Sequence, residues 1–210
     1  MKRIISIIFI FFSVNVQAIE KNISAPFGLS WGMTYEEVLN KTGNIKLIGS
    51  KENRIKEYLI NSDSKLIDGL ERYDVGIDDK YGLVNVGTLI SISDYDNTDN
   101  VVEKYNILKQ ALSSKYGEQY SEEYLWKNRT KGKLTLPECL SNEFCGKYIS
   151  IFQGDDSSRV ILMMGASSSK EDVIISLFYK SGFIAKIKQE EKEQQEKVIK
   201  EKAKGLADSL

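Results

Sequence analysis

Leu70-Glu-Arg-Tyr-Asp-Val-Gly-Ile77, Asp78-Asp-Lys-Tyr-Gly82 and Leu83-Val-Asn-Val-Gly-Thr-Leu-Ile-Ser-Ile-Ser93 read as three consecutive pieces of one β-hairpin. In the first piece Tyr73, Val75 and Ile77 fall on one face, because successive side chains in a strand point to opposite sides. In the third, Val84, Val86, Ile90 and Ile92 repeat with period two. The acids, lysine and glycine between them are turn chemistry. Each strand offers one apolar face, so the hairpin is built to be covered by another layer.

The covering elements are legible on either side. Upstream, Trp31-Gly-Met-Thr-Tyr-Glu-Glu-Val-Leu-Asn-Lys-Thr-Gly43 carries a helix start. Thr34 caps the first turn, Glu37 three residues on completes a capping box, and Met33 with Val38 forms a hydrophobic staple. Gly43 is a C-terminal stop. The helix therefore spans about Tyr35 to Thr42, and Arg54 to Ile60 forms a short strand after it. Downstream, Asp94 to Asn100 is a polar loop. Val101, Tyr105, Leu108, Leu112 and Tyr116 then recur at helical spacing, with Asn100 as the cap, Glu103 repeating the box and Gly117 as the end. Tyr120 to Lys127, Lys147 to Phe152, Arg159 to Gly165 and Asp172 to Tyr179 are further strands, the last three an antiparallel meander. The order is helix with three strands, then helix with four. This predicts an α+β fold, an antiparallel sheet with helices packed on one face. It also suggests a degenerate tandem duplication with halves at about 27–93 and 97–180.

The ends differ from this middle. Met1-Lys-Arg3, an apolar run from Ile4 to Val16, and Val16-Gln-Ala18 have the form of a signal peptide cleaved after Ala18. The run is interrupted by Ser13 and Asn15 and falls short of the roughly 20 residues that a membrane span needs. No cysteine follows it to carry a lipid. These features predict export to a bacterial periplasm, with secretion beyond it as the alternative, and a single globular domain at 19–183. From 184 to 210 the chain turns into a lysine- and glutamate-rich helical tail, nearly devoid of apolar residues between Ile187 and Val198. Glu193–Lys197 and Glu196–Lys200 fall at the favourable i,i+4 spacing. Two readings stand: a solvated tail, or a partner-binding or oligomerising helix.

Composition narrows the chemistry. The chain has 210 residues, 41% of them hydrophobic and 28% charged, and a net charge of −1. No basic field points to nucleic acid. There is no histidine, which removes Ser-His-Asp and Cys-His catalysis and imidazole metal ligands. No nucleophile motif and no phosphate loop occur, so no enzyme, cofactor or metal is expected. Asp94-x-Asp96-x-Thr98 starts like a calcium loop, but Asp99 stands where glycine is needed and Tyr105 where glutamate is needed. Asp78-Asp79 and Asp155-Asp156 sit on hairpin tips, where acids are turn formers. Cys139 and Cys145, flanked by Pro137 and Gly146, read as a structural disulfide in an oxidising compartment. Tyr120, Glu122, Tyr124 and Trp126 share one strand face and, with Trp31 and Tyr35, make an aromatic set. That set is either the packing face under a helix or an anchor for a protein partner.

The Trp31–Gly43 stretch resembles the Gly-Met-Thr-x-x-x-Val opening of small exported bacterial domains. These are the outer-membrane-assembly lipoproteins of the SmpA/OmlA type and the tandem-repeat β-lactamase inhibitor proteins. The resemblance implies helix-plus-antiparallel-sheet units and action by binding proteins rather than by catalysis. The function expected is thus a soluble periplasmic protein-binding module: an inhibitor, an immunity protein or an envelope-assembly accessory. Its partner would be another envelope or secreted protein. The alternatives are a carboxylate-dependent hydrolase, which needs a deep acid-lined pocket, and a small-ligand carrier, which needs an enclosed apolar cavity.

Overall fold

The computed structural model describes residues 22–51, 54–60, 72–93, 98–117, 120–126 and 134–207. The expected signal peptide at 1–18 lies outside them, as do residues 94–97 of the polar loop. The chain runs α1 (Tyr35–Thr42), β1 (Ile45–Lys51), β2 (Ile55–Ile60), β3 (Arg72–Asp78), β4 (Gly82–Ile92), α2 (Thr98–Tyr116), β5 (Tyr120–Leu125), α3 (Leu136–Leu140), β6 (Gly146–Gln153), β7 (Arg159–Ala166), β8 (Val173–Lys180) and α4 (Phe183–Ala207). All eight strands form one antiparallel sheet in the order β1-β2-β3-β4-β8-β7-β6-β5. Each half is a helix followed by a four-stranded meander, and the halves meet where β4 pairs with β8, Val86 opposite Tyr179. The fold is α+β.

Two expectations change. The first half has four strands, not three, because β1 precedes β2. The second helix starts at Thr98, so Asn100 lies in its first turn instead of capping it, and Asp99 supplies the acidic group that favours a helix N-terminus. The capping box of α1 forms as expected: Glu37 N–H donates to Thr34 Oγ1, and Thr34 N–H donates to Glu37 Oε2.

α1 and α2 lie on the same face. Val38 of α1 packs with Tyr73, Val75, Ile77, Leu83 and Val86. Val101, Tyr105, Leu112 and Tyr116 of α2 pack with Phe152, Val160, Leu162, Met164, Val173, Ile175 and Leu177. Ile90 and Tyr179 touch both clusters at the central strand pair. Burial of apolar side chains such as these is the main term holding the layers together, each fully buried one contributing about 1.5–3 kcal/mol.

α4 lies on the other face. Ile187, 1% exposed, packs with Ile55 and Val84, and the Phe183 ring stacks on Tyr81 with centroids 5.2 Å apart. Glu190 closes the contact. Its carboxylate accepts from Lys80 Nζ at 2.5 Å and Tyr81 Oη at 2.7 Å, and Arg54 Nη1 lies 2.8 Å away. Arg54 also pairs with the buried Asp78, which accepts from the backbone N–H groups of Lys80 and Tyr81. Lys80, Tyr81 and Arg54 hold the Glu190 carboxyl down at about 2. A carboxyl lowered in the fold contributes its stability above its unfolded pKa of about 4.3 and loses it as pH falls through the folded value. We predict that the α4 contact loosens between about pH 4 and pH 2. Protection factors of the amides of residues 183–191, with the intrinsic pH dependence of exchange divided out, should fall over that interval in the wild type. In Glu190→Gln they should already be lower at pH 7 and change little below.

Cys139 and Cys145 are bridged. The bridge staples α3, which begins with its own capping box between Thr135 and Glu138, to the start of β6. Closing so short a loop is worth about 2 kcal/mol in the chain-entropy description. The double variant Cys139→Ser with Cys145→Ser is expected to lose about that much in urea titration. The native chain should show no reactive thiol after unfolding without reductant.

Candidate functional site

An antiparallel sheet with one covered face usually turns polar side chains outward on the other. Here the face opposite α1 and α2 does not, away from the end that α4 covers. Register places Tyr120, Ile151, Ile161 and Phe178 side by side across β5, β6, β7 and β8, and the row continues to Gly87 on β4. The next row holds Glu122, Ile149, Met163, Ser176 and Leu89. Ile149, Ile151, Ile161, Phe178 and Leu89 are half-buried, and Met163 is 38% exposed. None of them touches α1 or α2, which occupy the far side. On the other flank Gln153, Arg159, Lys180 and Asn85 form a polar row in the same register. An apolar band rimmed by polar side chains is the anatomy of a protein-protein interface. Contiguous exposed apolar patches in general mark protein, membrane or ligand contacts.

The aromatic set divides between the halves. Trp31 donates its indole N–H to the Ile23 carbonyl at 2.7 Å, and Tyr35 tilts against Tyr58, so both belong to the first-half core. Tyr120, Tyr124 and Trp126 gather on the β5 edge, all exposed. They are not the packing face beneath α2; that role falls to Ser121 and Glu123 on the opposite side of the strand. The edge is held firmly. Tyr120 Oη donates to Glu122 Oε2, and Lys147 lies 2.6 Å from that carboxylate. Tyr124 Oη donates to the Glu143 carbonyl, and the Trp126 amide to the Cys145 carbonyl. The disulfide loop therefore braces the aromatic edge. It also presents Phe144, 86% exposed, which the sequence reading passed over.

A polar cluster lies under α2. Tyr105 Oη and Ser150 Oγ are 2.8 Å apart, Ser150 donates to Glu123 Oε1, and Lys109 donates to Ser121 Oγ at 3.0 Å. A serine beside a lysine invites comparison with a nucleophile and its base. The electrostatics oppose it. Lys109 Nζ is paired with Glu123 Oε1 at 2.8 Å, and both serine hydroxyls donate to the same carboxylate. Burial raises the Glu123 carboxyl, but Lys109, Ser121 and Ser150 together bring it below its ordinary value. The group is a satisfied network that fixes β5 and β6 beneath α2.

The hairpin-tip acids serve the backbone. Asp78 braces the β3–β4 turn, Asp79 pairs with Lys56 at 2.7 Å, and Asp156 accepts from the amide of Ser158. A depression of about 290 Å³ on the open face is lined by Glu57, Asp74, Asn85, Ile161, Met163, Phe178 and Lys180. It lies within the apolar band, beside the side-chain-free backbone of Gly87. No helix among the described residues is long and apolar enough to cross a membrane. Comparison with known protein families, curated proteins and solved structures finds no match.

Proposed function

We propose that the chain is an exported, non-catalytic protein-binding module whose binding surface is the part of the second sheet face that α4 leaves open. The observation that carries this is the band of Ile149, Ile151, Ile161, Met163 and Phe178 left half-exposed in register across three strands. The rigid aromatic edge of Tyr120, Tyr124 and Trp126 continues it, and aromatic side chains are the usual anchors of such contacts. The bridged cysteines fit an oxidising compartment. The resemblance at Trp31–Gly43 to exported inhibitor and assembly domains points the same way, toward an inhibitor, an immunity protein or an envelope-assembly accessory.

The test is affinity capture from envelope and secreted fractions with the wild type and with Met163→Glu. Met163 is exposed, so the charge should leave the melting temperature within a few degrees. A protein retained by the wild type and lost by Met163→Glu supports the reading. Equal retention by both, or capture that needs only Lys109 and Glu123, would sink it.

A further inference from the structure

From residue 192 to residue 207 α4 is exposed on every side, projecting roughly 24 Å at the rise of an α-helix. A helix with no buried face is sustained by ion pairs within itself or by a partner outside. The internal pairs are few. Lys192 and Glu196 stand 4.0 Å apart, and Gln189 donates to Glu193. Among the described residues Lys197, Lys200, Lys202 and Lys204 have no carboxylate partner, and the expected pairs Glu193–Lys197 and Glu196–Lys200 are not formed.

The charges are segregated along the helix. Residues 189–196 hold Glu190, Glu191, Glu193 and Glu196 against Lys192 alone. Residues 197–204 hold Lys197, Lys200, Lys202 and Lys204 against Glu201 alone. We propose that α4 pairs antiparallel with α4 of a second copy of this chain, about a two-fold axis between Glu196 and Lys197. That register sets Glu196 opposite Lys197, Glu193 opposite Lys200 and Lys192 opposite Glu201, and each contact occurs twice, as an isologous pairing requires. A parallel pairing would set every charge against its own sign. At 100° per residue Glu193, Glu196, Lys197 and Lys200 fall on one side of the helix and Val198 and Ile199, the latter 65% exposed, on the other, so the pairing rests on charge alone. Glu190 stays with Arg54 and Lys80, so pairing leaves the attachment of α4 to the sheet intact.

The full chain is tested by sedimentation equilibrium. At low ionic strength the mass should approach that of two chains, and it should fall to one chain near 1 M salt, where the screening length is only about 3 Å. Glu193→Lys with Glu196→Lys makes the segment basic throughout, and Lys197→Glu with Lys200→Glu makes it acidic throughout. Each variant alone should be monomeric. The two mixed in equal amounts should restore the dimer mass, a result that a purely intrahelical role for these charges would not give. A monomer at low salt in the wild type overturns the proposal. So does a dimer that persists in both variants, or a mixture that stays monomeric.

Discussion

Gly82→Val is expected to destabilise the fold by roughly 3 kcal/mol or more, the sum of a left-handed backbone and an overpacked contact. Gly82 has φ +66°, a region that a β-branched residue strongly resists. A Cβ there would also stand 2.3 Å from the Gly32 carbonyl oxygen and 2.7 Å from that of Met33. Neither neighbour can yield cheaply. Gly32 N–H donates to the Leu83 carbonyl, and Leu83 N–H donates to the Met33 carbonyl. These two bonds tie the segment leading into α1 to the first residues of β4. Displacing that segment pulls on the α1 cap at Thr34 and on the core under Val38. Gly28→Ala separates the two causes, because Gly28 also has positive φ but open space around the missing Cβ. It should cost about 1 kcal/mol, the conformational part alone. Urea midpoints of the two variants decide the matter; equal, small shifts would show that the close approach to Gly32 is unimportant.

Much of the architecture was legible because local chemistry and packing agree. Thr34, Glu37 and Gly43 bound α1 to the residue. The stripe Val101, Tyr105, Leu112, Tyr116 is the buried face of α2, with Leu108 at its margin. Turn residues at 154–158 separate β6 from β7 cleanly. β1 was missed for a physical reason. It is an edge strand, Leu47 and Ile48 are exposed, and a bulge between Leu47 and Gly49 breaks the alternation that period-two reading depends on. α3 was missed although its Thr135-Leu-Pro-Glu138 start carries a capping box, because a five-residue helix has no periodic stripe to confirm it.

The candidate surface was hidden in another way. Along β6 to β8 both faces are apolar, and a strand that is apolar on both faces reads as buried on both. Only the three-dimensional structure shows that α1 and α2 take one side and leave Ile149, Ile161, Met163 and Phe178 on the other. The pairing of β4 with β8, which brings the two halves into one continuous sheet, joins residues some ninety positions apart. No local pattern encodes it. The same holds for the aromatic set: Tyr120 and Tyr124 announce a shared face by spacing, whereas the distance between them and Trp31 is a property of the sheet order.

Cutting the chain after Gly182 is expected to cost several kcal/mol, whereas cutting it after Glu191 should cost almost nothing. From sequence, 184–210 reads as a tail, because Lys188 to Lys197 has no apolar face. The structure moves the boundary. Ile187, Phe183 and Ile184 cover Ile55, Val84 and Tyr81 on the face opposite α1 and α2. Removing Ile187 alone re-exposes apolar surface worth about 1.5–3 kcal/mol, and the Phe183–Tyr81 stack adds about 0.5–1.5 kcal/mol. Loss of Glu190 would leave Arg54 shared by Asp78 alone and Lys80 without its carboxylate. Against a total stability of roughly 5–15 kcal/mol, the longer cut is a serious loss. Beyond Glu191 the side chains are solvated; Leu206, for instance, is 64% exposed. Exposed ion pairs there contribute about 0.2–1 kcal/mol each at most. Thermal melts at low protein concentration and high salt, where self-association does not contribute, separate the cases. A chain ending at Glu191 should melt within a few degrees of the full length, and one ending at Gly182 should melt far lower or lose its cooperative transition. If the two truncations melt alike, the contact of Ile187 and Glu190 with the sheet does not hold in solution, and α4 is a free tail from its first turn.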